Sequence, residues 1–292
     1  MTKCWVNGEL VDRAAATVSL FDHGLLYGDG VFEGIRFYHR RAFRLAAHLR
    51  RLRDSAHAIH LDLPYDEAAL TRAVYEVIAA ADCEDGYLRL GITRGVGPLG
   101  LDTEGCGQPT SFILVGPLRR LADGEAEGLR LVVASTRRTP ADCLDPRIKS
   151  LNYLNNILAR EEARRAGADE AILLNLQGRV AEGASDNLFI VRDGVLVTPP
   201  VSDGSLDGIT RALVMELAGE LGIPCRERSL TVTELYAADE CFLTGTAIEM
   251  AAVADIEGHR LLAPGPVFTR LQEAFRVHIA AETQPSTQAR VS

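Results

Sequence analysis

"DPRIKSLNYLNNILARE", from Asp145 to Glu161, holds one of only two lysines in the chain. Lysine and arginine together number 31, so 29 of these are arginine, and the two lysines are Lys3 and Lys149. An ammonium can lose its proton when buried or crowded by positive charge; a guanidinium effectively cannot. A neutral amine can attack a carbonyl and form a Schiff base. Lys149 is therefore a candidate nucleophile in a chain that writes arginine almost everywhere else. Its setting supports this. It lies in an extended stretch just before a helix expected from about 151 to 166 and closed by Gly167, and functional residues concentrate at such element ends. Tyr153 falls in the first turn of that helix, where its hydroxyl could point back toward the amine. Asn152, Asn155 and Asn156 add amides that a purely structural helix does not need.

The rest of the chain bounds what that lysine can serve. The 292 residues are 47% hydrophobic and 24% charged, the usage of a globular protein with room for two modest domains. The formal net charge of -9 argues against a nucleic-acid binder, which carries a basic stripe. Basic runs such as "RRLRD" at 50–54 read as solvated helix faces. The six cysteines form no CxxC pair, so they read as free thiols and no metal site is expected. "MTKCWVNGEL" lacks the apolar core of a signal peptide. No run approaches the roughly 18 apolar residues of a membrane span. These features together predict a cytoplasmic protein.

Periodicity divides the chain. "CWVNGELV" alternates about Asn7-Gly8, a hairpin signal. "LLYGDGVFEGIRFYHRRAFR" reads as two strands with a turn near Arg40 and Arg41. Apolar residues at 45, 49, 52, 56 and 59 have the helical period. A second helix is expected over 65–81, then strands over 86–94 and 110–116. The resulting division is a small α+β domain over 1–118, a connection over 119–128, a larger α/β domain over 129–281 and a disordered tail over 282–292. In the larger domain a helix is expected over 208–221, stopped by Gly222, with strands over 240–244 and 247–256. "GVGPLG" at 95–100 matches GxGxxG, but Pro98 and the sequence after it deny the helix that a dinucleotide fold requires. His57 and His60 lack the further ligands of a metal site.

"KSLNYLNNILA" and "VAEGASDNLFIV" resemble motifs of the class IV, or fold type IV, aminotransferases that use pyridoxal phosphate. "LYGDGVFEGIRFY", "HLRRL", "LDGITR" and "FLTGTAIEM" match further motifs of that family in the same order. The resemblance covers about residues 5–275 and is greatest to the branched-chain amino acid aminotransferases. It implies a two-domain α/β fold with the site between domains, a homodimer or an assembly of dimers, and no nucleic-acid or membrane partner. The implied reaction moves the amino group of an L-branched-chain amino acid to 2-oxoglutarate. Lys149 would bond the cofactor and move the proton, and Glu182 would bind the pyridine nitrogen. The phosphate would be held by Arg51, with its neighbour Arg50 as the other candidate, and by Ile209, Thr210 and Thr246. Spacing to His48 and Leu52 favours Arg51. Leu206 would pack on the ring and Tyr153 would reach its phenolic oxygen. Tyr27, Phe32 and Arg89 would line the substrate pocket, and Thr246 and Ala247 would offer amides to the α-carboxylate. D-amino acid and (R)-amine transaminases share the fold, as do aminodeoxychorismate lyases. Relatives acting on D-amino acids carry an Arg-x-His pair after the "RG" at 94–95, and "RGVGPLGLD" has none. A non-catalytic relative would lack the lysine or the carboxylate, and both are present.

Overall fold

In a computed structural model of the chain, residues 3–117 and 128–284 are described. The chain divides into two compact units. One comprises Met1–Leu118, Ile148–Asn152 and Val277–Ser292; the other comprises Arg119–Arg147 and Tyr153–Arg276. The segment around Lys149 therefore packs with the first unit, whereas the sequence reading put it inside a continuous domain over 129–281. The connection expected over 119–128 lies, except for Gly128, outside the described residues.

The first unit contains β1 (Lys3–Val6), β2 (Glu9–Asp12), α1 (His23–Tyr27), β3 (Gly30–Tyr38), β4 (Arg41–Ala42), α2 (Leu45–Ala58), α3 (Glu67–Ala79), β5 (Gly86–Thr93) and β6 (Ser111–Pro117). Its strands form an antiparallel sheet in the order β2-β1-β6-β5-β3-β4. Asn7 and Gly8 both adopt positive φ, 49° and 102°, as a two-residue hairpin loop requires. Leu49, Leu52 and Ala56 of α2 and Leu70, Val74 and Val77 of α3 are buried in one core with Val31, Ile35 and Phe37 of β3. Each such side chain contributes about 1.5–3 kcal/mol by leaving water. Two local expectations change. Leu25 to Tyr27 form a short helix rather than a strand, because Asp22 caps it by accepting from the Gly24 N–H at 2.8 Å. The β3–β4 turn sits at His39 and Arg40, both at positive φ without glycine. The His39 N–H bonds Asp85 at 2.9 Å, and the Arg40 side chain bonds Glu84 and the carbonyl of Ile78.

The second unit contains β7 (Leu129–Arg137), α4 (Ala141–Leu144), α5 (Leu154–Arg165), β8 (Glu170–Leu174), β9 (Val180–Gly183), β10 (Asn187–Arg192), β11 (Val195–Thr198), α6 (Ile209–Glu220), β12 (Cys225–Glu227), α7 (Val232–Tyr236), β13 (Glu240–Gly245), β14 (Glu249–Ile256), β15 (His259–Arg260) and α8 (Pro266–Thr283). The last residues of α8, from Val277, belong to the first unit. A mixed sheet runs β12-β11-β10-β13-β14-β7-β8-β9, with β15 on β14. Strands β8, β9, β10 and β13 are buried at nearly every position, as strands covered on both faces are. The "EAILL" of β8 is buried at all five positions. Among the described residues no helix is long and apolar enough to cross a membrane, and no group of His, Cys, Asp and Glu could hold a metal ion.

The tail expected to be disordered from Glu282 is a correction at its start. Glu282 and Thr283 are helical, and Glu282 accepts from the Arg44 N–H at the start of α2 at 2.8 Å. Residues 285–292 lie outside the described residues. The other end of α8 is fixed by Glu240, whose buried carboxylate accepts from the Val267 and Phe268 N–H groups at 2.9 and 2.8 Å. Replacing it strands two buried donors. Glu240→Ala is expected to lower the unfolding free energy by about 2–3 kcal/mol, read by urea denaturation.

Candidate active site

The seat of Lys149 is a sheet edge. Beyond the pairing of β3 with β5, residues 149–151 run along the opposite edge of β3 near its start. The Phe32 N–H bonds the Lys149 carbonyl at 3.0 Å, the Leu151 N–H bonds the Gly30 carbonyl at 2.9 Å, and Ser150 bridges Val31. The Lys149 N–H donates to Ser55 Oγ of α2 at 3.1 Å. The Lys149 side chain is half-buried, with Nζ 4.9 Å from the centroid of the Phe32 ring. Tyr153 does not lie in the first turn of α5, as the sequence predicts; it is the N-cap residue of a helix that begins at Leu154.

Beneath this seat is a buried charge cluster on the α2 face of β3. Glu33 is fully buried among apolar neighbours. Arg51 grips it with two parallel bonds, Nε to Oε1 and Nη2 to Oε2, both 2.8 Å. His48 Nδ1 donates to Oε2 at 2.7 Å. Burial pushes the Glu33 carboxyl up, but the Arg51 charge and the bonds from Arg51 and His48 overrule it and hold it at about 2. Burial lowers the His48 pKa against the pull of Glu33, so a neutral ring donates to the carboxylate. Arg50, one residue away, is exposed, whereas the Arg51 side chain is turned inward and 13% exposed. Helix geometry thus separates the two candidate arginines.

Of the expected substrate residues, Phe32 and Arg89 meet. The Arg89 guanidinium lies 3.8 Å from the Phe32 ring centroid, a cation–π contact. Tyr27 stacks edge-on against His23, and its hydroxyl accepts from the Gly100 N–H at 2.9 Å.

The second unit assembles its own set. Glu182 of β9 is buried, and Arg138, at the end of β7, meets it at 2.9 Å. The Leu206 N–H donates to Glu182 Oε2 at 3.0 Å, and Asn187 Nδ2 bonds the Leu206 carbonyl at 2.9 Å. Glu182, Leu206 and the start of α6 are thereby tied together. Gly208 is the N-cap of α6 and supplies no side-chain cap, so the first-turn amides of Ile209 and Thr210 are left for another acceptor. A Cβ on Gly208 would meet Asn187 Oδ1 at 1.9 Å, so only glycine fits. Thr246 and Ala247 form the turn after β13; Thr246 is half-buried and Ala247 exposed.

Three residues that hold this set carried no sequence signal of their own. Arg138 spends its whole fork: Nε on the Gly204 carbonyl, Nη1 on Asn156 Oδ1 and Nη2 on Glu182. Asn156 passes the network on, donating to the Ala184 carbonyl at 2.7 Å. Asn187 anchors Leu206. Asn156 stood out only as one amide among several, and Arg138 as one arginine among 29.

These residues fit pyridoxal phosphate. An uncapped helix N-terminus flanked by glycine suits a phosphate. A buried carboxylate that already has its own guanidinium suits a ring N–H. The Ser205 hydroxyl, buried beside Leu206, has no partner among the described residues and offers one more polar contact.

Residues 30–256 match the family model of the class IV aminotransferases. The chain is 48% identical over 276 residues to a protein of Methanocaldococcus jannaschii provisionally named a branched-chain-amino-acid aminotransferase, covering 94% of this chain and 95% of that one. It is 35% identical over 283 residues to the D-alanine aminotransferase of Bacillus licheniformis, covering 96% and 98%. The branched-chain aminotransferase of Thermoproteus uzoniensis, solved with norvaline, superposes with a TM-score of 0.91 at 42% identity, covering 97% and 96%. That of Thermobaculum terrenum, solved in its PLP form, gives 0.87 at 34% identity, covering 96% and 94%. The chain belongs to the class IV aminotransferases and is a pyridoxal-phosphate-dependent transaminase.

Two outcomes follow from the buried charges. Arg138→Leu leaves Glu182 buried without its cation and is expected to cost about 3–5 kcal/mol in urea unfolding of the apoprotein. Glu33 behaves as a depressed carboxyl: its folded pKa of about 2 lies below the ordinary 4.5. Its contribution is present above pH 4.5 and is lost as pH falls through 2. Acid unfolding of Glu33→Gln is expected to lack that step, a difference of about 3 kcal/mol at neutral pH.

Proposed function

We propose that this enzyme moves the amino group of an L-branched-chain amino acid to 2-oxoglutarate. The observation that carries the reading is the seat of Lys149, whose backbone is pinned to β3 and whose half-buried amine sits over Phe32. Pyridoxal phosphate, when bound, supplies an aldehyde that bonds an amine and a ring that takes up the electron pair left behind when the α-proton departs. Lys149 would hold the cofactor through its amine and would carry the α-proton as base and acid. Glu182 keeps the ring nitrogen protonated, with Arg138 and the Leu206 N–H fixing its direction. Ile209, Thr210, Thr246 and Arg51 hold the phosphate; Arg51 is aimed by Glu33 and His48. Leu206 would pack on the ring, and the Tyr153 hydroxyl would bond its phenolic oxygen. The amides of Thr246 and Ala247 take the substrate α-carboxylate.

Two residues expected to meet the substrate support this choice of donor and acceptor. Phe32 is an apolar wall suited to a branched side chain. Arg89 on that wall is a cation for the second carboxylate of 2-oxoglutarate. One pocket can then serve both half-reactions. A D-amino acid transaminase is the second reading, favoured by the similarity to the D-alanine enzyme. The loop from Arg94, "RGVGPLGLD", without the Arg-x-His pair, speaks for the first.

The enzyme acts as a homodimer or an assembly of dimers in the cytoplasm. In support, Leu20, Phe21, Leu25, Leu99 and Leu101 of the first unit are exposed, from 54% to 83%, and exposed apolar patches mark partner surfaces. The six cysteines are all free, which accords with a reducing compartment.

Four measurements test this. Lys149→Arg keeps the charge yet is expected to lose transamination, by about 10³-fold or more, because a guanidinium supplies no neutral amine. Residual turnover near the native rate would refute the assignment. In a panel of L-leucine, D-alanine and (R)-1-phenylethylamine with 2-oxoglutarate or pyruvate, the L-leucine and 2-oxoglutarate pair is expected to have the highest kcat/KM. Arg89→Leu is expected to raise KM for 2-oxoglutarate about tenfold or more while changing that for L-leucine less. For the assembly, Leu99→Asp with Leu101→Asp is expected to shift sedimentation toward monomer.

A further inference from the structure

Four residues after Glu182 stands a second buried carboxyl, Asp186, that the reaction does not use. It precedes β10, where Asn187 pairs with Thr244 of β13, so Asp186 comes opposite Gly245. Its Oδ1 lies 2.2 Å from where a Cβ on Gly245 would stand. Gly245 continues directly into Thr246 and Ala247. Asp186 is therefore packed against the base of the turn assigned above to the phosphate and the α-carboxylate.

The charges around it do not balance. Glu170 of β8, Arg160 of α5 and Glu182 of β9 face it electrostatically. Arg160 pairs with Glu170 at 2.7 Å, and Arg138 with Glu182 at 2.9 Å. Three carboxyls thus share two guanidinium groups; burial pushes the Glu170 carboxyl up as well, and Asp186 is the one with no guanidinium bonded to it. Its Oδ2 accepts only from the Ser185 hydroxyl, at 3.0 Å, among the described bonds. At 4% exposure, a carboxylate without a cation relieves its desolvation cost by taking a proton. Burial first, and then the Glu170 charge, push the Asp186 carboxyl up to about 7, with Glu182 adding and Ser185 and Arg160 opposing. Asp186 also lines a cavity of about 770 Å³ shared with Tyr153, Asn156, Arg160 and Glu170, through which a proton can exchange. Glu161 and Arg164, which also line it, pair with each other at 2.6 Å.

We infer that Asp186 is a positioning residue whose carboxyl, packed on Gly245, fixes the Gly245–Ala247 turn for the cofactor phosphate and does so in its uncharged form. The inference rests on the transaminase reading above. Once ionised, the group sets a negative charge beside a turn that binds anions, so cofactor affinity falls as pH rises through its titration.

Asp186→Asn copies the uncharged acid in shape and removes its titration. The dissociation constant for pyridoxal phosphate, measured by fluorescence for both proteins, gives a ratio of native to variant. That ratio is expected to rise about tenfold between about pH 5.5 and about pH 8.5. Dividing by the variant cancels the titration of the phosphate itself. The apoprotein gives a second reading without cofactor. The folded pKa lies above the unfolded value of 3.8, so native stability falls across the window from there to about 7. The melting temperature of Asp186→Asn is expected to gain on that of the native chain across that window and to stay ahead above it. Gly245→Ala, which pushes a methyl into Asp186, is expected to weaken cofactor binding about tenfold or more at every pH. A flat affinity ratio, parallel melting curves or native-like binding by Gly245→Ala would each overturn the role of Asp186 alone. A chain that takes up no pyridoxal phosphate at any pH, with Lys149 never trapped by borohydride, overturns the transaminase reading and this role with it.

Discussion

Two main-chain hydrogen bonds decide where the backbone of Lys149 stands: Phe32 N–H to the Lys149 carbonyl, and Leu151 N–H to the Gly30 carbonyl. They turn a stretch that would otherwise be loop into an added edge of the first sheet. β3 is itself held along its length by β5 and packed by α2. The lysine backbone thus inherits the rigidity of a core strand while its side chain remains half-buried. Glycine is required for so close an approach. A Cβ on Gly30 would meet the Ile92 carbonyl at 2.7 Å and Leu151 Cδ1 at 2.8 Å, and one on Gly28, at φ 71°, would meet Asn152 Oδ1 at 2.7 Å. A group that must reach a reacting atom needs its own support fixed first.

The two units treat buried carboxylates by one rule. Glu33 has Arg51, Glu182 has Arg138, and each arginine also bonds further groups or is itself gripped in two places. A buried pair adds little net stability but makes the loss of either partner costly, because the survivor is left charged in a poor solvent. Such pairs therefore fix direction more than they fix the fold. The exposed pairs are different in kind. Glu161 with Arg164 and Arg165 on α5 lies in water and contributes little.

The parts of this arrangement legible in the sequence are those with a local cause. The helix of α6 could be read from its period and its closing Gly222. The hairpin at Asn7-Gly8 could be read from its turn chemistry, and Lys149 from its rarity. What was missed has non-local causes. Nothing near 148–152 says that it will pair with a strand more than a hundred residues earlier. The start of α5 at Leu154 rather than 151 reflects that pairing, since Ser150 and Leu151 are held extended by β3. α8 begins where it does because Glu240, on β13, reaches its first amides. His39 and Arg40 hold a tight turn without glycine because Asp85, Glu84 and the end of α3 grip them. Arg138 could not be singled out, because its role lies in the positions of Gly204, Asn156 and Glu182.

The division of labour between arginine and lysine has a physical logic. Arg36, Arg138 and Arg211 are all buried, and a guanidinium can sit there because it stays charged and spreads that charge over several acceptors. Arg211 reaches the Pro199 carbonyl and Glu227, as Arg138 reaches three groups. These are fixed cations, suited to aiming a carboxylate. A transamination needs one nitrogen of the opposite character, able to give up its proton and form a bond. On the proposed reading that nitrogen lies on Lys149, while Lys3 stands at the surface paired with Asp12 at 2.7 Å. On that reading, arginine fixes the field and lysine moves the proton.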